Sequence, residues 1–207
     1  PPMMTHCFKN NKNQRIIAAK GAPEAILQVS NLSDQQKDHL RNVIRDFGTK
    51  GFRLLGVAKS TFNSNDFPKQ QQDLPFELLG FVVFYDPPKK GINEVFEKIY
   101  NAGIKVKVIT GDNAETTMSI ANQAGIIHAE DSITGSEITQ LSEKELLKAA
   151  DEKVLFARMF PEAKLAVVKA LKEDGEVVAM LGDGVNDGPA LKAAHIGVAM
   201  GEKGTEI

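Results

Sequence analysis

One cysteine, Cys7, among 207 residues leaves no internal disulfide to form, which fits a reducing compartment. Long apolar runs are missing as well. No stretch approaches the roughly 18 residues that would span a bilayer, and the opening PPMMTHCFKN lacks the continuous apolar core of a signal peptide. Nor is there a surplus of either charge: 25 Lys and Arg against 27 Asp and Glu give a net charge of −2 and a pI near 6.1. No basic face draws such a chain to nucleic acid or to an anionic membrane. The four histidines, His6, His39, His128 and His195, are scattered without metal-ligand spacing, which argues against zinc. Ser119 and Ser136 have no base or oxyanion partner in the sequence, which removes hydrolase triads. Repeats and low-complexity tracts are absent too. What is present is globular material, 42% hydrophobic and 25% charged, enough for one large domain or two small ones.

Periodicity changes character near FYDPPKKG, Phe84 to Gly91, where a boundary is expected. Upstream, RIIAAK (15–20), FRLLGVAKS (52–60) and FELLGFVVFY (76–85) read as strands. Between the first two, Leu40, Val43, Ile44 and Phe47 fall at helical spacing, with Ser33 as N-cap and Gly48 as stop. This half is expected to be a small α+β unit. Downstream, helix GINEVFEKIYNAG, strand IKVKVIT, helix AETTMSIANQAG after Asp112-Asn113, and a helix opened by a Ser142/Glu145 capping box follow one another. Strand KVLFA, a helix with Pro161 in its first turn, strand EVVAML, a short helix at PALKAA and strand IGVAM complete the pattern. Met180 and Met200 are expected in the core. Such alternation predicts an α/β fold whose parallel sheet is covered on both faces, with ligand loops at the carboxyl ends of its strands.

Two acidic loops fall at such ends, TGDN after IKVKVI and GDGVND after EVVAML. Gly182 and Gly184 allow a sharp turn and close approach of a ligand, while Asp183 and Asp187 place charge where packing gives no reason for it. A hard cation such as Mg²⁺ would explain the acids, since it takes one or two carboxylates together with substrate phosphate. The Thr110 hydroxyl and the Gly111 N–H, near a helix N-terminus, suit a phosphoryl oxygen, and Lys164 offers a compact positive charge. Together these describe a phosphoryl-transfer site that lacks a nucleophile.

The stretch GDGVNDGPALKAAHIGVAMG resembles the signature loop of P-type ATPases, and KGAPE, DPPKKG and TGDN resemble three further motifs of that family in the expected order. The loop also occurs in the wider haloacid dehalogenase-like superfamily. The resemblance implies that residues 1–86 are part of a nucleotide-binding (N) domain and 87–207 most of a Rossmann-like phosphorylation (P) domain, closest to the calcium, sodium/potassium and proton pumps. It implies ATP as substrate, Mg²⁺ as cofactor, a transported cation, and a cytoplasmic position in an integral membrane protein whose transmembrane and actuator domains are not in this sequence.

Carried over residue by residue, Lys20 matches the lysine lining the adenine pocket, Gly21 the glycine that permits close approach, and Arg53 an arginine reaching the nucleotide phosphates. Asp86 matches the hinge acid, and Lys89 stands where many members have arginine. Thr110 and Gly111 match the phosphoryl-oxygen contacts, Asp112 and Arg158 residues that meet the nucleotide, and Lys164 the lysine beside the phosphorylated carboxylate. Asp183 matches a magnesium ligand, Asn186 a phosphate contact, and Asp187 the acid that organises the loop and Lys164. The departures are Leu181 where Thr is frequent, Gly188 where Ala is frequent, and Pro1-Pro2 where relatives often carry a basic contact. The DKTGT motif, whose aspartate takes the phosphoryl group, is absent, so the chain is expected to be a fragment, inactive alone. A stand-alone phosphatase of the wider superfamily, or a nucleotide-binding module without chemistry of its own, are the alternatives.

Overall fold

The computed structural model describes residues 3–12, 15–62, 66–182 and 187–200. The chain divides into two compact units, Pro1–Pro87 and Pro88–Ile207. In the first, β1 (Met3–Lys9), β2 (Arg15–Gly21), β3 (Arg53–Ser60) and β4 (Glu77–Phe84) form an antiparallel sheet in that order. One face is covered by α1 (Pro23–Val29), whose fully buried Ile26 packs with Ile17, Ala19, Ala58 and Phe76. Small residues on the sheet admit it, because a Cβ at Gly56 would stand 2.8 Å from the Ile26 Cβ. Ser33 caps α2 (Asp34–Thr49) in a reciprocal box with Gln36, and the helix runs one residue beyond the expected stop at Gly48. β1 and α1 were not predicted.

The second unit opens with α3 (Ile92–Asn101), β5 (Val108–Ile109), α4 (Ala114–Gln123), β6 (Ser132–Thr134) and α5 (Gly135–Ile138). It continues with α6 (Glu143–Glu152), β7 (Leu155–Ala157), α7 (Pro161–Glu173), β8 (Ala179–Gly182), α8 (Gly188–Ala193) and β9 (Ile196–Ala199). All pairing here is parallel, but it falls into two ladders, β5-β7-β6 and β8-β9, where one sheet was expected. Among the described residues no strand joins β5 to β8. Helix α7 bridges them instead: Ala163, Val167 and Ala170 pack with Phe156 of β7, while Val168 packs with Met180 of β8 and with Ala190 and Leu191 of α8.

Strand β5 is shorter than IKVKVIT suggests, because the start of that segment is held by its lysines rather than by a ladder. Lys107 Nζ donates to the Asp151 and Lys153 carbonyls (2.7 and 2.8 Å), closing the end of α6, and its burial pushes its pKa down. Lys105 lies 3.0 Å from both Asp151 and Glu176, and these hydrogen bonds raise its pKa. Met180 is buried, but Met200, just past β9, is 51% exposed. The core expectation fails there because β9 is an edge strand whose residues are all exposed, β8 being its one strand partner among the described residues. No helix among the described residues is long and apolar enough to cross a membrane.

Candidate functional site

The loop after β5 and the loop after β7 are fastened by their backbones. The Thr110 N–H donates to the Phe156 carbonyl (2.9 Å), the Met159 N–H to the Thr110 carbonyl (2.8 Å) and the Arg158 N–H to the Asp112 carbonyl (2.8 Å). The Thr110 hydroxyl accepts the Asp112 N–H at 3.1 Å, and the Asn113 side chain caps α4 by accepting the Thr116 N–H at 2.7 Å. Arg158 reaches its place through the left-handed region, with φ of 50°, a conformation uncommon for a residue with a Cβ. Beside this loop, Ile92, Phe96, Val108, Ala121 and Thr110 line a mostly apolar cavity of about 400 Å³.

A second meeting joins the start of α7 to the start of α8. Lys164, in the first turn of α7, extends its Nζ to within 2.6 Å of Asp187 Oδ1, at the start of α8. Both side chains are nearly covered, at 12% and 11% exposure, so the pair is held in a region of reduced dielectric. The Asp187 carboxylate does not cap α8; it faces the lysine. Gly182 makes room for it, since a Cβ there would lie 2.8 Å from Asp187 Cβ. The backbone of Gly182 stays out of the left-handed region, so close approach, not a sharp turn, accounts for this glycine. The N-termini of α4 and α7 lie at the carboxyl ends of β5 and β7 and add partial positive charge. Thr110, Gly111 and Lys164 thus set a hydroxyl, a backbone N–H and a cation just past the carboxyl ends of β5 and β7.

Asp183 and Asn186, singled out in the sequence, lie outside the described residues. Among the described residues no group of three or more His, Cys, Asp or Glu could hold a metal. Asp187 is already engaged by Lys164. Asp86 and Lys89 are exposed at the ends of their respective units.

In the first unit, the strand register sets Lys20 and Arg53 on the sheet face opposite α1. Lys20 stands across from Val57, and Arg53 follows four positions along β3 on the same face, about 13 Å away at the rise of a strand. Between them lie Val57 and Leu55, flanked on β4 by Val82 and Phe84, the latter 50% exposed. Gly21 pairs with Gly56 at the end of β2. An apolar strip with a cation at each end has the form of a seat for a heteroaromatic base and its phosphates. Lys20 in KGAPE and Arg53 in FRLLGVA are both singled out in the sequence; that they share one face depends on register.

The chain is 35% identical to a calcium-transporting ATPase of Bacillus subtilis over 99% of its own length and 24% of the relative's. It is 38% identical to cation-transporting ATPase pma1 of Synechocystis, over 93% of the chain and 23% of the relative. Against the human calcium-transporting ATPase type 2C member 1 it is 34% identical, over 97% of the chain and 21% of the relative. It therefore spans less than a quarter of the length of these curated relatives. Over residues 10–195 it matches the haloacid dehalogenase-like hydrolases, and with the parallel strands and strand-end loops described above it belongs to that family.

Proposed function

We propose that this chain is the ATP-binding and phosphorylation region of a P-type cation-transporting ATPase, coupling an aspartyl phosphate to ion movement through membrane segments elsewhere in the same protein. The observation that carries the reading is the covered Lys164–Asp187 pair at the ends of parallel strands, in a chain related throughout to calcium- and cation-transporting ATPases. Lys20 and Arg53 hold the nucleotide, with the base against Leu55 and Val57 beside Gly21. Thr110 and Gly111 bind phosphoryl oxygens, Asn186 adds a phosphate contact, and Asp112 and Arg158 meet the nucleotide. Asp187 orients Lys164, which neutralises charge as the phosphoryl group moves. Asp183 would hold Mg²⁺, which supplies further charge neutralisation when bound. The attacking carboxylate comes from outside these 207 residues. On this reading the region lies on the cytoplasmic side of the membrane.

Two substitutions in the whole protein test it. Asp183→Ala should reduce phosphoenzyme formation at least about a hundredfold without unfolding, as expected for loss of a metal ligand at the reacting phosphate. Lys20→Ala should weaken ATP affinity and leave phosphorylation by inorganic phosphate nearly intact. Normal phosphorylation in the first variant would remove Asp183 from the site. Equal loss of both reactions in the second would make Lys20 a folding residue.

A further inference from the structure

The segment Arg158–Phe160 acts in two directions. Through the Arg158 and Met159 N–H groups it fixes Asp112 and Thr110 (2.8 Å each), and through the Phe160 carbonyl, which accepts the Lys164 N–H at 3.0 Å, it fixes the first turn of α7. Both halves of the anion site therefore hang on three residues. What those residues rest against is Gly135, the first residue of α5. A Cβ on Gly135 would stand 2.8 Å from the Arg158 carbonyl oxygen and 3.0 and 3.1 Å from two atoms of the Phe160 ring. Half-exposed Phe160 can swing its ring aside; the carbonyl cannot move without carrying the backbone.

The glycine is not explained by its own conformation. Its φ is not positive, so alanine fits the backbone there and is the better helix former. Nor is α5 loose: Thr134 and Glu137 form a reciprocal capping box, in which the Thr134 Oγ1–H and N–H donate to the Glu137 carboxylate at 2.6 and 2.8 Å. A capped helix start of this kind cannot readily back away from an added methyl group. The displaced partner would be the 158–160 segment.

We propose that Gly135 is a positioning residue for the phosphoryl site: its missing side chain lets Arg158–Phe160 close onto α5, which sets the Thr110–Asp112 loop and the turn bearing Lys164. The consequence for phosphate rests on the function proposed above; the mechanical link does not. Both are read on the 207-residue chain by amide hydrogen exchange, with Mg²⁺ and inorganic phosphate as the binding probe.

In Gly135→Ala the Thr110, Arg158 and Met159 amides should exchange about tenfold faster than in the parent, as expected for a locally opened segment. The amides of β2 and β3 should keep their protection. Ser136→Ala, which also changes α5 by a single group, should leave the three amides unchanged. Thr134→Ala, which removes the cap without adding bulk, should do the same. Unchanged exchange in Gly135→Ala overturns the proposal. So does equal acceleration of every amide in the second unit, which would make Gly135 a general packing residue, or equal acceleration in Thr134→Ala. If phosphate shifts no resonance of Thr110 or Gly111 in the parent chain, the phosphoryl reading falls and the exchange result still decides the role of Gly135.

Discussion

Lys164 and Asp187 bring opposite charges within 2.6 Å under nearly complete cover, and this decides how each substitution behaves. Removing one partner leaves the other buried and uncompensated, which costs about 3 kcal/mol; removing both costs less than the sum. Lys164→Met and Asp187→Leu should each lower the urea midpoint of the second unit, and the double variant should recover part of the loss. Strict additivity in that cycle would show that the pair does not interact in solution. The sequence places both residues at strand ends, but their distance depends on how α7 lies across two ladders, and no local pattern records that. Gly182 is a similar case. Its letter in GDG suggests a turn, whereas the structure uses it to let Asp187 fold over the strand end, a contact that becomes visible only with the fold.

At the scale of elements, legibility follows from whether the cause is local. The boxes opening α2 and α6 can be read directly, because cap and partner are three residues apart: Ser33 with Gln36, and Ser142 with Glu145. Strand β1 escapes notice because most of it is exposed and its apolar residues define no buried face. Helix α5 and strand β6 are too short to show a period. Strand β5 is overestimated because its alternation reflects two lysines engaged with α6 and the β8 approach, not a paired face. The α6 box also makes a pH prediction. The Ser142 hydroxyl, and next its backbone N–H, donate to Glu145 and hold its pKa below the ordinary 4.5. A depressed carboxylate stabilises the folded state fully above its unfolded value, and this contribution is lost as pH falls through the lower, folded value. The start of α6 should therefore loosen only below about pH 4.5, the ordinary glutamate value. In Ser142→Ala the Glu145 carboxyl should titrate closer to that value in a carbon-detected NMR titration; an unchanged midpoint would show that the box does not form.

Across the whole molecule, the parallel unit offers more apolar surface than its own elements cover. Val177 is 79% exposed, Leu181 59%, Ile104 56% and Ile196 54%, all on or beside the two strand ladders. Strands β5 and β8 are each the end member of a ladder, so each has one backbone edge without a strand partner among the described residues. Of the residues proposed to bind a phosphoryl group, Thr110 and Gly111 follow the edge strand β5, and Lys164 lies in the first turn of α7, after the central strand β7. These 207 residues contain no DKTGT. Positioning and electrostatics supply most of phosphoryl-transfer catalysis, but they act on a nucleophile. Incubated with γ-labelled ATP and Mg²⁺, this chain should bind nucleotide weakly through Lys20 and Arg53 and yield no acid-stable phosphoprotein. An aspartyl phosphate is stable in acid and cleaved in base or by hydroxylamine, so the measurement is an acid-quenched gel followed by peptide mapping. A labelled aspartate anywhere in the chain would place the nucleophile inside it, and a phosphatase acting alone would then explain the covered lysine–aspartate pair better than a pump.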